Sequence, residues 1–251
     1  MEVKALWRYP VKSLLGERLS SVDVTKLGFE GDRVFALRAG DAVLSAKRTS
    51  SLFGASARWV DGDVEIVWAD RSMSRRDDPG LDRKLSELAG REVVLSRRGD
   101  TVEIISGQDA TTTDGPDGRF TGPAGTFFDA APLHILTTST LQLLRSLHPK
   151  GHIDERRFRP NVLIDTGDEA AELEQGWIGT ELSLGTSMVR IARQCNRCVM
   201  TTHAQADLPQ DKDVLRVVAR STANVVGVLA EVVTPGTIAL GDPVAPAKLP
   251  G

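Results

Sequence analysis

The stretch from Arg58 to Trp68, RWVDGDVEIVW, reads as two strands joined by a tight turn. Asp61-Gly62 is a dipeptide that favours a two-residue hairpin turn, because both residues accept a left-handed backbone. Aromatic and β-branched residues fill the flanking positions, and these residue types favour strands. The stretch therefore predicts a β-hairpin in the first hundred residues.

Further short strands are predicted on both sides of this hairpin. One covers the run from Val3 to Val11, and a second hairpin is predicted over residues 34–44 around Gly40-Asp41. One helix interrupts this half, and a strand at Val93–Leu95 follows it. Its signal is three leucines on one helical face and a glycine stop, at Leu81, Leu85, Leu88 and Gly90.

The second half is also predicted to consist mainly of strands. Two helices interrupt it, one capped by Thr138 or Ser139 and one near residues 211–220. Residues 109–125 are predicted to form a loop, and residues 245–251 a frayed tail. The predicted strands cover Asn161–Asp165, Glu181–Leu184, Met188–Ala192 and Val225–Val233. Many short strands at this spacing indicate a mainly β fold, a barrel or a sandwich, with a few short helices.

The composition is that of an ordinary globular protein. Hydrophobic residues make up 41% of the 251 residues, charged residues 26%, and the formal net charge is −3. This charge argues against general nucleic-acid binding, and no apolar run is long enough for a membrane span. The first residues, MEVKALWRYP, lack the apolar core of a signal peptide. We therefore expect a cytoplasmic protein with no nucleic-acid or membrane partner.

Both cysteines of the chain lie in the stretch from Arg193 to Thr202, RQCNRCVMTT. Cys195 and Cys198 have a spacing that suits half of a zinc site, but no histidine pair completes it. A thioredoxin-like redox pair would need a helix directly after the motif, and no helical pattern follows. Two buried thiols are the common alternative. For Cys198, the flanking Arg193 and Arg197 favour a thiolate and leave a softer metal open.

The segment RCVMTT, residues 197–202, resembles the signature of the MOSC family, named after the C-terminal domain of molybdenum cofactor sulfurase. Supporting segments in family order lie at Tyr9–Ser13, Gly31–Arg33, Phe158–Asn161, Pro235–Thr237 and Gly241–Val244. The resemblance implies a smaller β-rich domain over residues 1–95 and a MOSC β-barrel over residues 105–246. Similar proteins include the mitochondrial amidoxime-reducing component and bacterial reductases of N-hydroxylated compounds.

The resemblance also implies the roles of individual residues. Cys198 is the expected molybdenum ligand, and Cys195 has no ligand role. The candidate residues for holding the molybdenum–molybdopterin cofactor are Lys12, Ser13, Arg33, Arg159, Asn161 and Arg197. Guanidinium, ammonium and hydroxyl groups are suitable donors to its phosphate. Taken singly, these charged residues could equally be solvated surface groups.

Two positions depart from the family pattern. Ala130 and Ala131 stand where some relatives carry hydroxyl side chains, so a cofactor contact there would use the backbone. The Asp-Pro that often follows in amidoxime reducers is absent after Thr201-Thr202, which leaves the substrate class open. His203 occupies this region, and we consider it both as a catalytic acid and as a loop residue without chemical role.

The resemblance predicts a molybdenum-dependent oxidoreductase that reduces small N-hydroxylated or N-oxide compounds. The chain has no cysteine cluster for an iron–sulfur centre and no Gly-rich nucleotide fingerprint. Electrons are therefore expected from a separate protein, either ferredoxin-like or of the cytochrome b5 type with its reductase. The family's naming context, a pyridoxal-phosphate-dependent cysteine desulfurase, supports an alternative, a carrier of sulfur or of the cofactor without turnover.

Overall fold

The hairpin predicted around Asp61-Gly62 forms, and both turn residues have positive φ, 51° and 82°. The structure is a computed structural model that describes residues 1–40, 42–99, 126–167 and 169–247. This part of the chain is mainly β, as predicted, with three α-helices and several 3₁₀ turns. The first ten strands are β1 (Glu2–Arg8), β2 (Glu17–Leu19), β3 (Ser21–Thr25), β4 (Gly28–Phe29), β5 (Phe35–Ala39), β6 (Ala42–Val43), β7 (Ser56–Val60), β8 (Asp63–Val67), β9 (Met73–Arg75) and β10 (Val94–Arg97).

The later elements lie after the undescribed residues 100–125. The strands are β11 (Leu133–Thr137), β12 (Val162–Asp165), β13 (Glu181–Leu184), β14 (Ser187–Asn196), β15 (Val225–Thr234), β16 (Gly236–Ala239) and β17 (Val244–Pro246). Of the three described helices, α1 (Leu81–Ala89) lies before residues 100–125, and α2 (Thr138–Leu147) and α3 (Asp213–Ser221) lie after them. The predicted loop at 109–125 lies outside the described residues, as does the boundary between the two predicted domains.

An eight-stranded sheet forms the larger part of the molecule, in the order β17-β13-β14-β15-β11-β12-β1-β2. All its neighbouring strands run antiparallel except β11 and β12, which are parallel. The long pair of β14 and β15 packs apolar side chains into a continuous core with those of β1, β11, β12 and β13. Burial of this surface stabilises the fold at about 25 cal/mol per Å².

Strands from the first and last parts of the chain share sheets. β1 lies between β12 and β2 in the large sheet, and β3 pairs with β16 in a three-stranded sheet. The backbone N–H of Val3 donates to the carbonyl of Asp242 at 2.9 Å. A second core lies among β5, β7, β8 and α1. Sequence segments 1–95 and 105–246 are therefore joined through main-chain hydrogen bonds.

Three local predictions need correction. The cap of α2 is Thr137, whose hydroxyl accepts from the N–H of Thr140 at 3.3 Å, and not Thr138 or Ser139. The predicted frayed tail is wrong where Val244–Pro246 pairs with β13. A 3₁₀ turn, Val199–Thr202, follows the cysteine motif, where no helical pattern is visible. Its single turn is too short to produce a helical periodicity.

The described helices are nine or ten residues long. None of them is long and apolar enough to cross a membrane.

Candidate functional site

Three of the candidate cofactor-binding residues have a left-handed backbone. The φ angles are 67° at Ser13, 48° at Arg33 and 54° at Arg159. This conformation costs a non-glycine residue roughly 1–2 kcal/mol, and such residues concentrate at functional sites. The Arg33 turn is held by its own N–H, which donates to Tyr9 O at 2.8 Å. The structure thus maintains local strain at three positions that the sequence singled out.

Arg33 lies between a carboxylate and an amide. Its guanidinium pairs with the buried Asp32 and donates to Asn161 Oδ1 at 3.4 Å. Burial would lower the pKa of Arg33, but the Asp32 carboxylate outweighs burial and raises it. Asn161 also accepts from the backbone N–H of His134 at 3.1 Å and donates to Trp7 O at 3.3 Å. Asn161 therefore fixes the position of Arg33 relative to β1 and β11.

Arg159 is a buried cation whose guanidinium makes its only hydrogen bond to a described residue with a carbonyl oxygen. Its Nη1 donates to Leu14 O at 2.7 Å, and its guanidinium carbon lies 5.6 Å from the centre of the Phe53 ring. Burial lowers the pKa of Arg159 to about 10, so the guanidinium remains charged at neutral pH. A cation in this setting favours an added anion.

Lys12 completes the positive edge of the site. Its ammonium pairs with Asp129 and donates to Phe127 O at 3.2 Å. The Asp129 side chain is 70% exposed, whereas that of Lys12 is 11% exposed. Surrounding protein would raise the pKa of Asp129, but Lys12, with Arg33 and Arg159, lowers it. The charges of Lys12, Arg33 and Arg159 thus all act on the same carboxylate, that of Asp129.

The guanidinium of Arg197 forms hydrogen bonds to protein groups around the cysteine motif. It donates to Phe158 O at 2.6 Å, to Cys195 Sγ at 2.7 Å and to Val226 O at 3.3 Å. Its Nε is buried without a hydrogen-bond partner in the described part. Burial raises the pKa of Cys195 although Arg197 opposes this, so Cys195 is a neutral thiol.

His134 is a site neighbour that the sequence did not reveal. Its Nε2 lies 3.3 Å from Arg197 Nη1, and burial together with the Arg197 charge lowers its pKa well below the ordinary value. The ring is therefore neutral, and its Nε2 lies beside both the Arg197 guanidinium and Val226 O, the latter at 3.2 Å. Gly227, with φ 78°, makes room for it, because a Cβ there would lie 2.3 Å from His134 Nε2.

Cys198 follows β14 and precedes the 3₁₀ turn. Its backbone is extended, with φ −136° and ψ −177°, and its carbonyl accepts from the Thr201 hydroxyl at 3.0 Å. The thiol has no hydrogen bond to a described residue and is partly exposed. Cys195 is exposed to a similar degree, so the two thiols differ in that Arg197 donates to Cys195 and no described residue bonds Cys198.

His203 ends the turn that Cys198 begins. Its ring packs edge-on against Phe53 at 6.2 Å, and its Nε2 is buried without a partner among the described residues. Burial lowers its pKa, although the Ala46 backbone opposes this. A catalytic acid must reach its substrate, and this buried nitrogen does not. The arrangement therefore favours the loop-residue interpretation.

Arg157 is a second residue that the sequence did not single out. It is 1% exposed, and its guanidinium donates to four carbonyl oxygens. The acceptors belong to His152 at 2.6 Å, Thr201 at 3.3 Å, His203 at 3.0 Å and Pro209 at 2.6 Å. Arg157 thus fastens the segment after Cys198 to the 3₁₀ turn Glu155–Arg157.

The sequence profile of the MOSC domain matches residues 122–245, and that of the MOSC N-terminal beta barrel domain matches residues 1–93. The two matches follow one another and cover most of the chain. The chain belongs to the MOSC family. This family is associated with binding of the molybdenum cofactor.

Several solved structures are similar to this MOSC protein at low sequence identity. YuaD from Bacillus subtilis is 11% identical over 97% of this chain and 93% of its own, with a TM-score of 0.49. YiiM from Geobacillus stearothermophilus is 16% identical over 47% of this chain and 55% of its own, with a TM-score of 0.35. YiiM from Escherichia coli is 15% identical over 47% of this chain and 55% of its own, with a TM-score of 0.37. The chain spans about half the length of the two YiiM structures. No curated protein matches it.

The donor set of this MOSC protein fits an anionic cofactor that carries a thiophilic metal. Lys12 pairs with Asp129 and Arg33 with Asp32, whereas Arg159 and Arg197 form no ion pair with a described carboxylate. The Ser13 hydroxyl has no hydrogen bond to a described residue, and the Cys198 thiol is likewise unengaged. A phosphate would balance the excess charge, and a thiolate suits a soft metal.

A substitution at Ser13 should change stability and phosphate binding in opposite directions, because this residue has a strained backbone and a hydroxyl donor. We expect Ser13→Gly to raise the melting temperature by about 2–4 °C, because glycine adopts φ 67° at little cost. The same change should weaken binding of inorganic phosphate by roughly tenfold through loss of the hydroxyl donor. Thermal unfolding and calorimetric titration would measure both effects. A fall in melting temperature would show that the hydroxyl stabilises the turn.

Proposed function

We propose that this protein is a molybdenum-cofactor oxidoreductase that reduces small N-hydroxylated or N-oxide compounds with electrons from a separate protein. The observation that carries the proposal is the cation cluster of Lys12, Arg33 and Arg159. It is joined by Cys198, a partly exposed cysteine whose thiol has no hydrogen bond to a described residue. A protein of net charge −3 has no general reason to gather buried cations at one place.

Each side chain then has a defined task. Cys198 would supply the protein sulfur, and Lys12, Ser13, Arg33 and Arg159 would bind the phosphate end. Asn161 orients Arg33 through the 3.4 Å hydrogen bond. Arg197, which follows β14, holds the end of this strand in place by donating to Phe158 O. When bound, the cofactor supplies two-electron chemistry at molybdenum and two dithiolene sulfurs. The protein contributes position and charge through the side chains named above.

Proton delivery follows from the same geometry. His203 Nε2 is buried and the pKa of the ring is lowered, so His203 is neutral and carries no proton to the site at neutral pH. Two-electron reduction of an N–OH or N-oxide group takes up two protons and releases water, and we therefore assign both protons to solvent beside the partly exposed Cys198. Asp129 borders this opening, but its lowered pKa keeps it ionised and unable to donate.

The test uses protein made in a host that synthesises the cofactor. We expect near-stoichiometric molybdenum and reduction of benzamidoxime with a chemical electron donor. Lys12→Ala and Arg33→Ala should each retain roughly tenfold less cofactor, because each removes charge-assisted hydrogen bonds. Lys84→Ala and Arg83→Ala are matched controls on exposed parts of the N-terminal segment.

The possible outcomes distinguish the two candidate functions. Bound molybdenum without benzamidoxime reduction would favour a carrier of the cofactor or of sulfur. Absence of molybdenum from a folded protein would contradict both. Normal occupancy in Lys12→Ala and Arg33→Ala would exclude these two residues from the site.

A further inference from the structure

Tyr9 lies between the two arginines that the proposed site uses. The guanidinium carbon of Arg159 is 4.2 Å from the centre of the Tyr9 ring, and that of Arg33 is 5.0 Å from it. Both distances are within the range of a cation–π interaction. One buried aromatic ring therefore supports two cations from distant parts of the chain.

The ring is held by the segments that carry these arginines. The Tyr9 backbone N–H donates to Asp32 Oδ1 at 2.7 Å, and the Tyr9 hydroxyl donates to Pro160 O at 3.2 Å. Asp32 precedes Arg33, and Pro160 follows Arg159. In return, the N–H of Arg33 donates to Tyr9 O at 2.8 Å. Any movement of Tyr9 would displace both guanidinium groups.

Gly16 leaves the space that the Tyr9 ring occupies. A Cβ there would lie 2.5 Å from Tyr9 Cδ1, which no real packing allows, so a larger residue would push the ring. Tyr9 is also 2% exposed, and burial raises its pKa despite the charges of Arg159 and Arg33. The ring therefore stays a neutral π-surface at physiological pH.

We propose that Tyr9 is a positioning residue that holds Arg33 and Arg159 as one phosphate-binding pair. Two guanidinium groups repel one another, and a shared electron-rich face reduces this cost while it limits their rotation. Preorganised donors bind an anion more tightly than mobile donors, because less conformational entropy is lost. The inference rests on the proposed function, in which these arginines hold the phosphate end of the cofactor.

The binding experiment titrates cofactor-free protein with inorganic phosphate. Tyr9→Leu should weaken phosphate binding about tenfold, because both cation–π contacts disappear. Tyr9→Phe keeps the ring and should remain within about threefold of the wild type, although it loses the hydrogen bond to Pro160. Trp68→Leu is the matched control, since it removes the ring beneath Lys84 at 5.5 Å outside the site.

A second measurement needs no ligand. In nuclear magnetic resonance spectra, the Nε–Hε signals of Arg33 and Arg159 should be shifted by the Tyr9 ring current in the wild type and in Tyr9→Phe. Both shifts should vanish in Tyr9→Leu and persist in Trp68→Leu. These signals report the stacking itself, which a general loss of stability in a folded variant does not change.

Each result has a definite meaning. Equal phosphate affinity in the wild type and Tyr9→Leu would overturn the positioning role, as would unshifted arginine signals in the wild type. A tenfold loss in Tyr9→Phe would assign the effect to the hydroxyl and also overturn it, as would an equal loss in Trp68→Leu. Failure of the wild type to bind phosphate would instead contradict the anion site, and with it both the proposed function and this inference.

Discussion

Cys198→Ala is expected to lower the molybdenum content of the purified protein to background, whereas Cys195→Ala should retain most of the metal. Cys198 presents a partly exposed thiol without a hydrogen-bond partner in the described part. Cys195 has a similar exposure, but its sulfur is engaged, since it accepts from Arg197 at 2.7 Å. Elemental analysis of protein made in a cofactor-producing host would measure both contents.

The two variants form a matched pair because both remove one sulfur from the same six-residue stretch. Cys195→Ala leaves Arg197 bound to Phe158 O and Val226 O, so we expect a loss of only about 1 kcal/mol in stability. Equal metal loss in both variants, with the folds intact, would contradict the assignment of Cys198 alone. Full retention in Cys198→Ala would exclude it as the ligand.

Arg157→Met should destabilise the protein by about 3–5 kcal/mol, the largest effect we expect from one side chain outside the hydrophobic cores. The change removes the donor of four carbonyl oxygens, one in a buried and three in partly buried hydrogen bonds, and leaves a buried space that the methionine side chain fills without a polar partner. For a chain of this size the melting temperature should fall by roughly 6–20 °C. Differential scanning calorimetry of the cofactor-free protein would measure this directly.

The adjacent Arg156 provides the control. It pairs with two carboxylates, Asp154 at 2.9 Å and Asp207 at 2.6 Å, but its side chain is 29% exposed. Partly exposed ion pairs contribute about 0–1 kcal/mol, so Arg156→Met should change stability little. A larger effect at Arg156 than at Arg157 would contradict the view that burial, and not formal pairing, decides the contribution of an arginine.

The sequence allowed prediction of features that depend on neighbouring residues. The Asp61-Gly62 hairpin and the end of α1 at Gly90, with φ 68°, both form as predicted, because turn and cap preferences act within a few residues. The pairing of β1 with β12 was not predictable. Such pairing depends on contacts across more than 150 positions, for which a single sequence carries no local signal.

The candidate site shows the same division. The motifs pointed to Lys12, Arg33, Arg159 and Cys198, and the first three lie around Asp129 in the structure. The motifs gave no sign of His134 or Arg157, because most histidines and arginines in sequences are surface residues. Their roles depend on partners such as Val226 O and Pro209 O, which only the folded chain brings near. Arg157 directly precedes Phe158-Arg159-Pro160, but nothing in the sequence distinguishes it from a surface arginine.

The sharing of sheets between early and late strands has a consequence for biosynthesis. Val3 hydrogen-bonds Asp242 and Gly241, so β1 is made 239 positions before the residue that receives its N–H. At about 5–20 residues per second, the ribosome delivers that partner roughly 10–50 s after β1 emerges. Until then the N–H of Val3 lacks its acceptor, although β2 and β12, which flank β1 in the sheet, have already been made. Native pairing at the start of β1 is therefore completed later than its pairing with the strands on either side can begin.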